Sequence, residues 1–313
     1  MVKLEDIGKA IAKHGIPASE LNDLPSSGKT FSDGAHYRIE ISGIERPGVL
    51  KACIDEADKR KVPVHRLIST VMGATLLSKK ELKEFAQMAH DANMEVIITP
   101  GPRNLWDIGA QVKTPEGGLS GLRIHGVEGL KHIIADMKRC IDIGFRGFLV
   151  TDEGLLWLLN QMKKKGDIPD DVTFKVSIFA GHANPAGGKV LEMLGAGTFN
   201  PVGDLTLAQL ASIRSTINIP MDLHVYLFDS FGGFCRFYDT PEMARVASPC
   251  YFKIEPGPSV TALYKPWVAE SSLAEFAREK VKYAEIIREF VEENQPKLKL
   301  SAQNAKGLAI PMP

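Results

Sequence analysis

The sequence predicts an α/β barrel in which eight βα units close into one ring of parallel strands. From Tyr37 onward, short β-branched or aromatic runs alternate with amphipathic helical stretches, a pattern typical of parallel sheets. Eight such units in about 250 residues match a (β/α)8 TIM-type barrel. A doubly wound open sheet is the alternative. It usually carries a Gly-rich dinucleotide loop after its first strand, and the residues after Ser42 do not form one.

Alternation and helical spacing place the elements along the chain. The predicted strands are 37–42, 64–70, 95–99, 147–152, 173–179, 198–200, 221–228 and 251–254. The predicted helices between them are 47–60, 79–93, 127–143, 154–165, 186–194, 205–216 and 241–247, with an N-terminal helix over 2–13 and a long C-terminal helix over 271–295. We therefore expect an N-terminal helix and loop (1–36), a barrel domain (37–295) and a tail (296–313). The tail is either disordered or an arm reaching a partner. Assembly into a homo-oligomer is a separate expectation.

Composition narrows the function classes. Hydrophobic residues make up 44% of the chain, and 38 Lys plus Arg balance 38 Asp plus Glu. A chain without excess positive charge is a poor nucleic-acid binder, and no apolar run approaches the roughly 20 residues that cross a bilayer. The cysteines at 53, 140, 235 and 250 lack the spacing of a zinc motif or a disulfide framework. We expect a cytoplasmic protein that acts on a small molecule, with neither nucleic acid nor membrane as partner.

The seventh predicted strand carries the strongest functional signal. Alternation puts Asp222, His224 and Tyr226 on one face and aliphatic residues on the other. The outer face of a barrel packs on helices, so the polar face should line the interior. Polar groups in that position are either catalytic or part of a structural hydrogen-bond network.

Other strand ends add candidate side chains. His182 and Asn184 follow the fifth strand, and His182 is a candidate acid, base or metal ligand. Lys253 and Glu255 share a face of the eighth strand, where Lys253 is a Schiff-base nucleophile or an ion-pair partner. Oxygen and imidazole donors on several strands suit a divalent ion such as Zn, Mn or Mg. The candidate ligands are Glu40, His182, Asp222, His224 and Glu255.

A long segment after the third strand, 101–126, is predicted to be a lid over the barrel mouth. Arg123 and His125 lie near its end and are candidate substrate-binding residues, as is Arg66 on the second strand. An arginine fork suits a substrate carboxylate or phosphate.

The segment 177–226 resembles the collagenase-like peptidase U-32 family. The resemblance rests on the order of the stretch 191–197 (LEMLGAG), the stretch 204–210 (DLTLAQL) and the stretch 219–223 (IPMDL). It implies a barrel with peptidase-type chemistry, in which Asp222 stands where the family has an acid and Tyr226 where it has a histidine. The family's cysteine-containing stretch is represented here by Cys235 alone, so an iron–sulfur cluster, which needs about four thiolates, is not expected.

The leading hypothesis is a hydrolase that acts on a small carboxylate or amide. Asp222, His182 and His224 would hold a metal or serve as acid and base, and Asn184 and Tyr226 would help to bind the substrate. A carbon–carbon lyase, either metal-dependent or through a Lys253 Schiff base, is an alternative, as is a non-catalytic barrel acting in a complex.

Overall fold

The computed structural model describes residues 3–69, 76–102 and 123–313. Its strands are β1 (Tyr37–Ser42), β2 (Arg66–Ser69), β3 (Glu95–Ile98), β4 (Gly147–Val150), β5 (Thr173–Val176), β6 (Thr198–Phe199), β7 (Met221–Leu227) and β8 (Cys250–Glu255). They form a closed barrel in the order β1 to β8, and β8 pairs in parallel with β1. The prediction of a (β/α)8 barrel is confirmed.

Helices follow the strands and cover the outside of the barrel. Their bounds are α1 (Leu4–Ala12), α2 (Pro47–Arg60), α3 (Lys79–Asp91), α4 (Gly126–Ile141), α5 (Glu153–Lys164), α6 (Pro185–Met193), α7 (Leu207–Thr216), α8 (Thr240–Ala247), α9 (Val260–Leu263) and α10 (Glu270–Asn294). Local chemistry fixes several starts. Ser78 and Glu81 form a reciprocal capping box at α3, and Thr206 and Gln209 form another at α7. Within the described ranges, no helix is long and apolar enough to cross a bilayer.

The barrel interior is divided into an apolar and a polar part. On one side Ile68, Ile97 and Leu149 form a small apolar cluster separate from the main core. On the other side the inward positions of β1 and of β5 to β8 are polar, and most of them are fully buried. Barrel interiors are usually filled with branched apolar side chains, so the polar part is where function is to be sought.

The C-terminal tail crosses the amino-terminal end of the barrel, and we call residues 298–313 the C-terminal strap. Ser301 N donates to Tyr37 O, Arg38 donates to Ser301 Oγ, and Gln303 bonds the backbone of Val64. Farther along, Met312 N donates to Gly144 O. The strap thus binds its own barrel, which differs from the expectation of a disordered tail or an arm to a partner.

Candidate functional site

Four charged side chains from four strands meet in the middle of the barrel, and we call Glu40, Arg66, Lys175 and Asp222 the central ion cluster. Arg66 Nη1 lies 3.2 Å from Glu40 Oε2 and 2.8 Å from Asp222 Oδ1. Lys175 Nζ lies 3.1 Å from Glu40 Oε2 and also pairs with Asp222 Oδ2. Burial opposes the ionisation of Glu40, but Lys175, Lys253 and Arg66 outweigh it and hold the pKa of this carboxyl at about 2.

Asp222 has a partner on each carboxylate oxygen. Besides the contacts to Arg66 and Lys175, Thr198 Oγ1 donates to Asp222 Oδ2 at 2.7 Å. Asp222 faces the interior as predicted, and it is fully buried. Three of the roughly four lone-pair sites of this carboxylate are therefore occupied by protein groups, two of them cationic.

Above this cluster, toward the carboxyl ends of β6 to β8, lies a second group, Asn200, His224, Lys253 and Glu255, which we call the upper polar ring. Asn200 Oδ1 accepts from Lys253 Nζ at 3.4 Å, and Asn200 Nδ2 donates to His224 Nδ1 at 3.2 Å. His224 Nε2 lies 3.6 Å from Glu255 Oε2, which lies 3.7 Å from Lys253 Nζ. The ring is therefore closed, but three of its four contacts are longer than an ordinary hydrogen bond.

Several buried polar atoms around Lys253 lack a hydrogen-bond partner among the described residues. They are His224 Nε2, Glu255 Oε1, Glu40 Oε1 and the hydroxyl of Ser42 at the end of β1. Lys253 Nζ itself lies 3.7 Å from Glu40 Oε1, too far for a good hydrogen bond. Because unsatisfied buried polar atoms are costly, such a concentration marks a place suited to a polar ligand.

Electrostatics fixes the charge states in the upper polar ring. Burial and the neighbouring Lys253 charge lower the pKa of His224 to about 4, so its imidazole is neutral at pH 7. With Nδ1 accepting from Asn200, the proton of the neutral ring sits on Nε2 and points toward Glu255. Burial raises the pKa of Glu255, but Lys253 and His224 lower it more, so the net shift is downward and this carboxyl is ionised.

His182 belongs to a separate group at the barrel mouth. Its Nε2 donates to Glu153 Oε1 at 2.8 Å, and the other oxygen of Glu153 pairs with Arg123. Asp152 caps α5 by accepting from Leu155 N, which leaves Glu153, the first residue of that helix, free to bind His182. Arg123 is about half exposed and lies at the start of the described segment that leads into α4.

The remaining predicted site residues do not join the upper polar ring. Asn184 is the N-cap of α6 and accepts from Gly187 N at 2.9 Å. His125 is exposed at the start of α4, and its side chain makes no capping bond. Arg66 belongs to the central ion cluster and does not lie at the barrel mouth. Most of the predicted lid, including Arg103 and Trp106, lies outside the described residues.

The prediction that Tyr226 shares the inward face of Asp222 and His224 is wrong. The pairing of β7 with β8 shifts by one residue between His224 and Tyr226, as in a β-bulge. Past this bulge Tyr226 packs on Phe237 and on Tyr283 of α10, with ring centroids 6.2 and 5.8 Å apart. Tyr226 is therefore directed away from the upper polar ring.

The described side chains do not suit a divalent ion. No group of three or more His, Cys, Asp or Glu residues arranged to hold a metal occurs in residues 3–69, 76–102 and 123–313. The acids predicted as ligands face cations instead: Glu40 and Asp222 face Lys175 and Arg66, and Glu255 faces Lys253. A metal at the same oxygens would meet this positive charge, so we derive no step through one.

Two important residues were not singled out from the sequence. Lys175 is a lone charge in the otherwise uncharged strand β5. The alternation of side chains along this strand places it on the face that points into the barrel, and this is the signal that could have revealed it. Asn200 directly follows β6 and joins Lys253 to His224. Its role depends on three strands meeting, which no local pattern shows.

Comparison with known proteins shows only distant structural similarity. No family model matches the sequence, and no curated protein matches it. Among solved structures, a putative fructose-1,6-bisphosphate aldolase from Coccidioides immitis shares 14% identity over 83% of this chain and 92% of its own, with a TM-score of 0.48. A U32 peptidase shares 16% identity over 74% of this chain and 96% of its own, with a TM-score of 0.42.

A D-psicose 3-epimerase from Clostridium cellulolyticum H10 shares 12% identity over 81% of this chain and 99% of its own, with a TM-score of 0.45. The fold is a TIM barrel. No family model matches, so membership of the U-32 family is not shown, and the reaction must be argued from the site.

Proposed function

We propose that this TIM barrel is an enzyme that forms an enolate from a small carboxylate bearing a carbonyl group, as a carbon–carbon lyase or an isomerase does. The observation that carries the proposal is the group of unsatisfied polar atoms on Glu40, Ser42, His224 and Glu255 around Lys253. It lies toward the carboxyl ends of the strands, where the active sites of such barrels are found.

The three charged or polar groups have complementary roles in this proposal. Glu255 is ionised, and its free Oε1 is the base that removes a proton from the carbon next to the carbonyl. His224 is neutral and carries its proton on Nε2, so it donates to the carbonyl oxygen as negative charge develops there. Lys253 supplies a fixed positive charge beside that oxygen. A carboxylate base with a neutral imidazole is an established pairing for enolate chemistry.

The same geometry disfavours a Schiff base on Lys253. A nucleophilic amine must be neutral, and Lys253 Nζ has Glu40 and Glu255 each at 3.7 Å. Ion pairing with two carboxylates occupies this amine, an arrangement that suits electrostatic stabilisation rather than attack on a carbonyl. Borohydride added with substrate is therefore expected to leave the protein active.

Hydrogen exchange at carbon tests the proposal directly. The protein is incubated in D₂O with pyruvate, 2-oxobutyrate or 4-hydroxy-2-oxobutyrate, and proton NMR follows loss of the signal next to the carbonyl. Exchange is expected with at least one of these acids. Glu255→Gln should reduce its rate by at least about 100-fold, since a positioned general base contributes that much. Glu289→Gln, an exposed change on α10, is the matched control.

Lys253→Met should also slow exchange strongly, with Lys282→Met, a half-exposed position on α10, as its control. Absence of exchange with all three acids, or full exchange in Glu255→Gln, would contradict the proposal. Amide hydrolysis, the leading hypothesis from the sequence, leaves no deuterium on carbon, so release of product without exchange would favour it instead.

A further inference from the structure

The amino-terminal end of the barrel, opposite the upper polar ring, contains a cavity that we call the basal cavity. It has a volume of about 370 Å³ and lies where β2, β3, β5 and β6 begin. Its wall includes Arg38, Arg66, Glu95 and Tyr251, and the strap residues 307–309 form one side. This volume is near the lower end of the range of small-molecule sites.

Arg66 has an unused donor next to this cavity. Its Nη1 serves Glu40, Thr198 and Asp222, and its Nε lies 3.1 Å from Glu95 Oε2. Its Nη2 makes no hydrogen bond with the described part of the chain. The guanidinium carbon lies 3.5 Å from the centre of the Tyr251 ring, so stacking holds the fork in place. An arginine with a free donor and a fixed plane is suited to a carboxylate.

The charge on the cavity wall is balanced. Arg38 and Arg66 line it with Glu95 and Asp171. Arg38 is committed to Ser301, Tyr251 and Lys306 O, and Asp171 is paired with Arg146. Arg66 and Glu95, two opposite charges side by side, complete the wall. Arg66 also pairs through Nη1 with Glu40 and Asp222, and Tyr251 donates to Glu95 Oε2 at 3.4 Å. A ligand of net charge would meet no compensating excess here, whereas a zwitterion can match both groups at once.

The rest of the wall is largely apolar. Phe31, Pro220, Leu308 and Ala309 contribute carbon surface, and Tyr251 adds an aromatic face. We propose that the basal cavity binds a small zwitterion of the α-amino-acid type with an apolar side chain. Its carboxylate binds Arg66, its ammonium binds Glu95, and its side chain lies against Tyr251 and the strap. This site is distinct from the upper polar ring and does not depend on the reaction proposed there.

Isothermal titration calorimetry with three matched probes tests this inference. The probes are L-leucine, N-acetyl-L-leucine, which lacks the cation, and L-leucinamide, which lacks the anion. L-leucine is expected to bind saturably. Each derivative is expected to bind at least about tenfold more weakly, because N-acetyl-L-leucine has no ammonium to pair with Glu95 and L-leucinamide has no carboxylate to pair with Arg66. Equal binding of all three, or no saturable binding of L-leucine up to about 10 mM, would overturn the proposal.

Variants locate the site. Ala309→Phe fills the cavity from the strap and should weaken L-leucine binding at least about tenfold, whereas Ala302→Phe, exposed on the same strap, should not change it. If Ala309→Phe does not fold, Glu95→Gln serves instead and should abolish the preference for L-leucine over N-acetyl-L-leucine. Loss of binding in Lys253→Met with normal binding in Ala309→Phe would place the ligand at the mouth and overturn the inference.

Discussion

Asp222 and Lys253 lie on neighbouring strands of the barrel and have opposite surroundings. Asp222 meets Arg66 at 2.8 Å, pairs with Lys175 and accepts from Thr198 at 2.7 Å. The shortest polar contact of Lys253 Nζ with a described residue is 3.4 Å, to Asn200. Saturated contacts rigidify a core, and loose contacts leave a charge available to a substrate. This contrast is why we assign a structural role to Asp222 and a catalytic one to Lys253.

Asp222→Asn is therefore expected to act on stability. The change leaves Arg66 and Lys175 buried with one negative charge fewer, which should cost about 3–5 kcal/mol. Denaturant unfolding measures the loss, with exposed Asp204→Asn as the control. The folded fraction of Asp222→Asn should keep its exchange activity. An Asp222→Asn variant with normal stability but no activity would contradict this structural role and indicate a catalytic one.

The sequence predicts part of this site for identifiable reasons. The face of a strand on which a side chain lies depends only on neighbouring residues, so alternation is enough to predict the inward positions of Asp222 and His224. The partner of each group is not local. Thr198 and Lys175, which saturate Asp222, lie 24 and 47 positions away along the chain, and only closure of the barrel brings them to it.

At the scale of the elements, alternation fails where a strand changes register. Asp222 and His224 keep to the predicted face, but the extra residue before Tyr226 moves its side chain out to α10. The sequence of β7 gives no sign of the bulge, because every residue in it is compatible with a regular strand. By contrast, β1 and α2 begin and end at the predicted residues, because Pro47 marks the helix start and the strand alternates cleanly.

The turn after β1 supports the same site. Gly43 has φ +80°, and a Cβ there would lie 2.1 Å from the Tyr264 ring. The Tyr264 hydroxyl accepts from Lys280 Nζ, which also donates to Ser42 O at 2.5 Å. Only glycine combines this backbone conformation with so close an approach.

Gly43→Ala should therefore destabilise the protein by about 2–5 kcal/mol, the sum of a left-handed backbone penalty and overpacking. Since Ser42 and Tyr264 must move, exchange activity should fall as well. Melting temperature and exchange rate are measured together, with Gly28→Ala as the control because an added Cβ there meets nothing within 4 Å. Equal stability of the two variants would show that the turn is more plastic than its contacts indicate.

Across the whole molecule, the polar interior runs from one end of the barrel to the other. Arg66 faces the basal cavity and binds Glu40, Glu40 lies 3.7 Å from Lys253, and Lys253 belongs to the upper polar ring. The strap closes the lower end through Arg38 and through His65, whose Nε2 donates to Ser301 O at 3.0 Å. The titratable groups of this interior are buried, so the pH dependence of stability reports how they bind protons.

Two buried histidines make that dependence measurable. Burial lowers the pKa of His65 to about 4, and burial with the nearby Lys253 charge does the same for His224. Both are neutral in the folded protein, with Ile39 N donating to His65 Nδ1 and Asn200 donating to His224 Nδ1. In the unfolded chain each titrates near its ordinary value of about 6.5. Between pH 6.5 and 4 the unfolded state therefore binds more protons.

Stability should consequently fall as the pH drops through this window, with a slope approaching about 1.4 kcal/mol per pH unit for each histidine. Urea unfolding at pH 7, 6 and 5 measures the slope. His224→Asn, which keeps an acceptor for Asn200, should remove about half of it, whereas exposed His14→Asn should leave it unchanged. A free energy of unfolding that stays constant from pH 7 to 5 would mean that these imidazoles take up protons in the folded state, and the neutral His224 on which the proposed enolate chemistry depends would be lost with it.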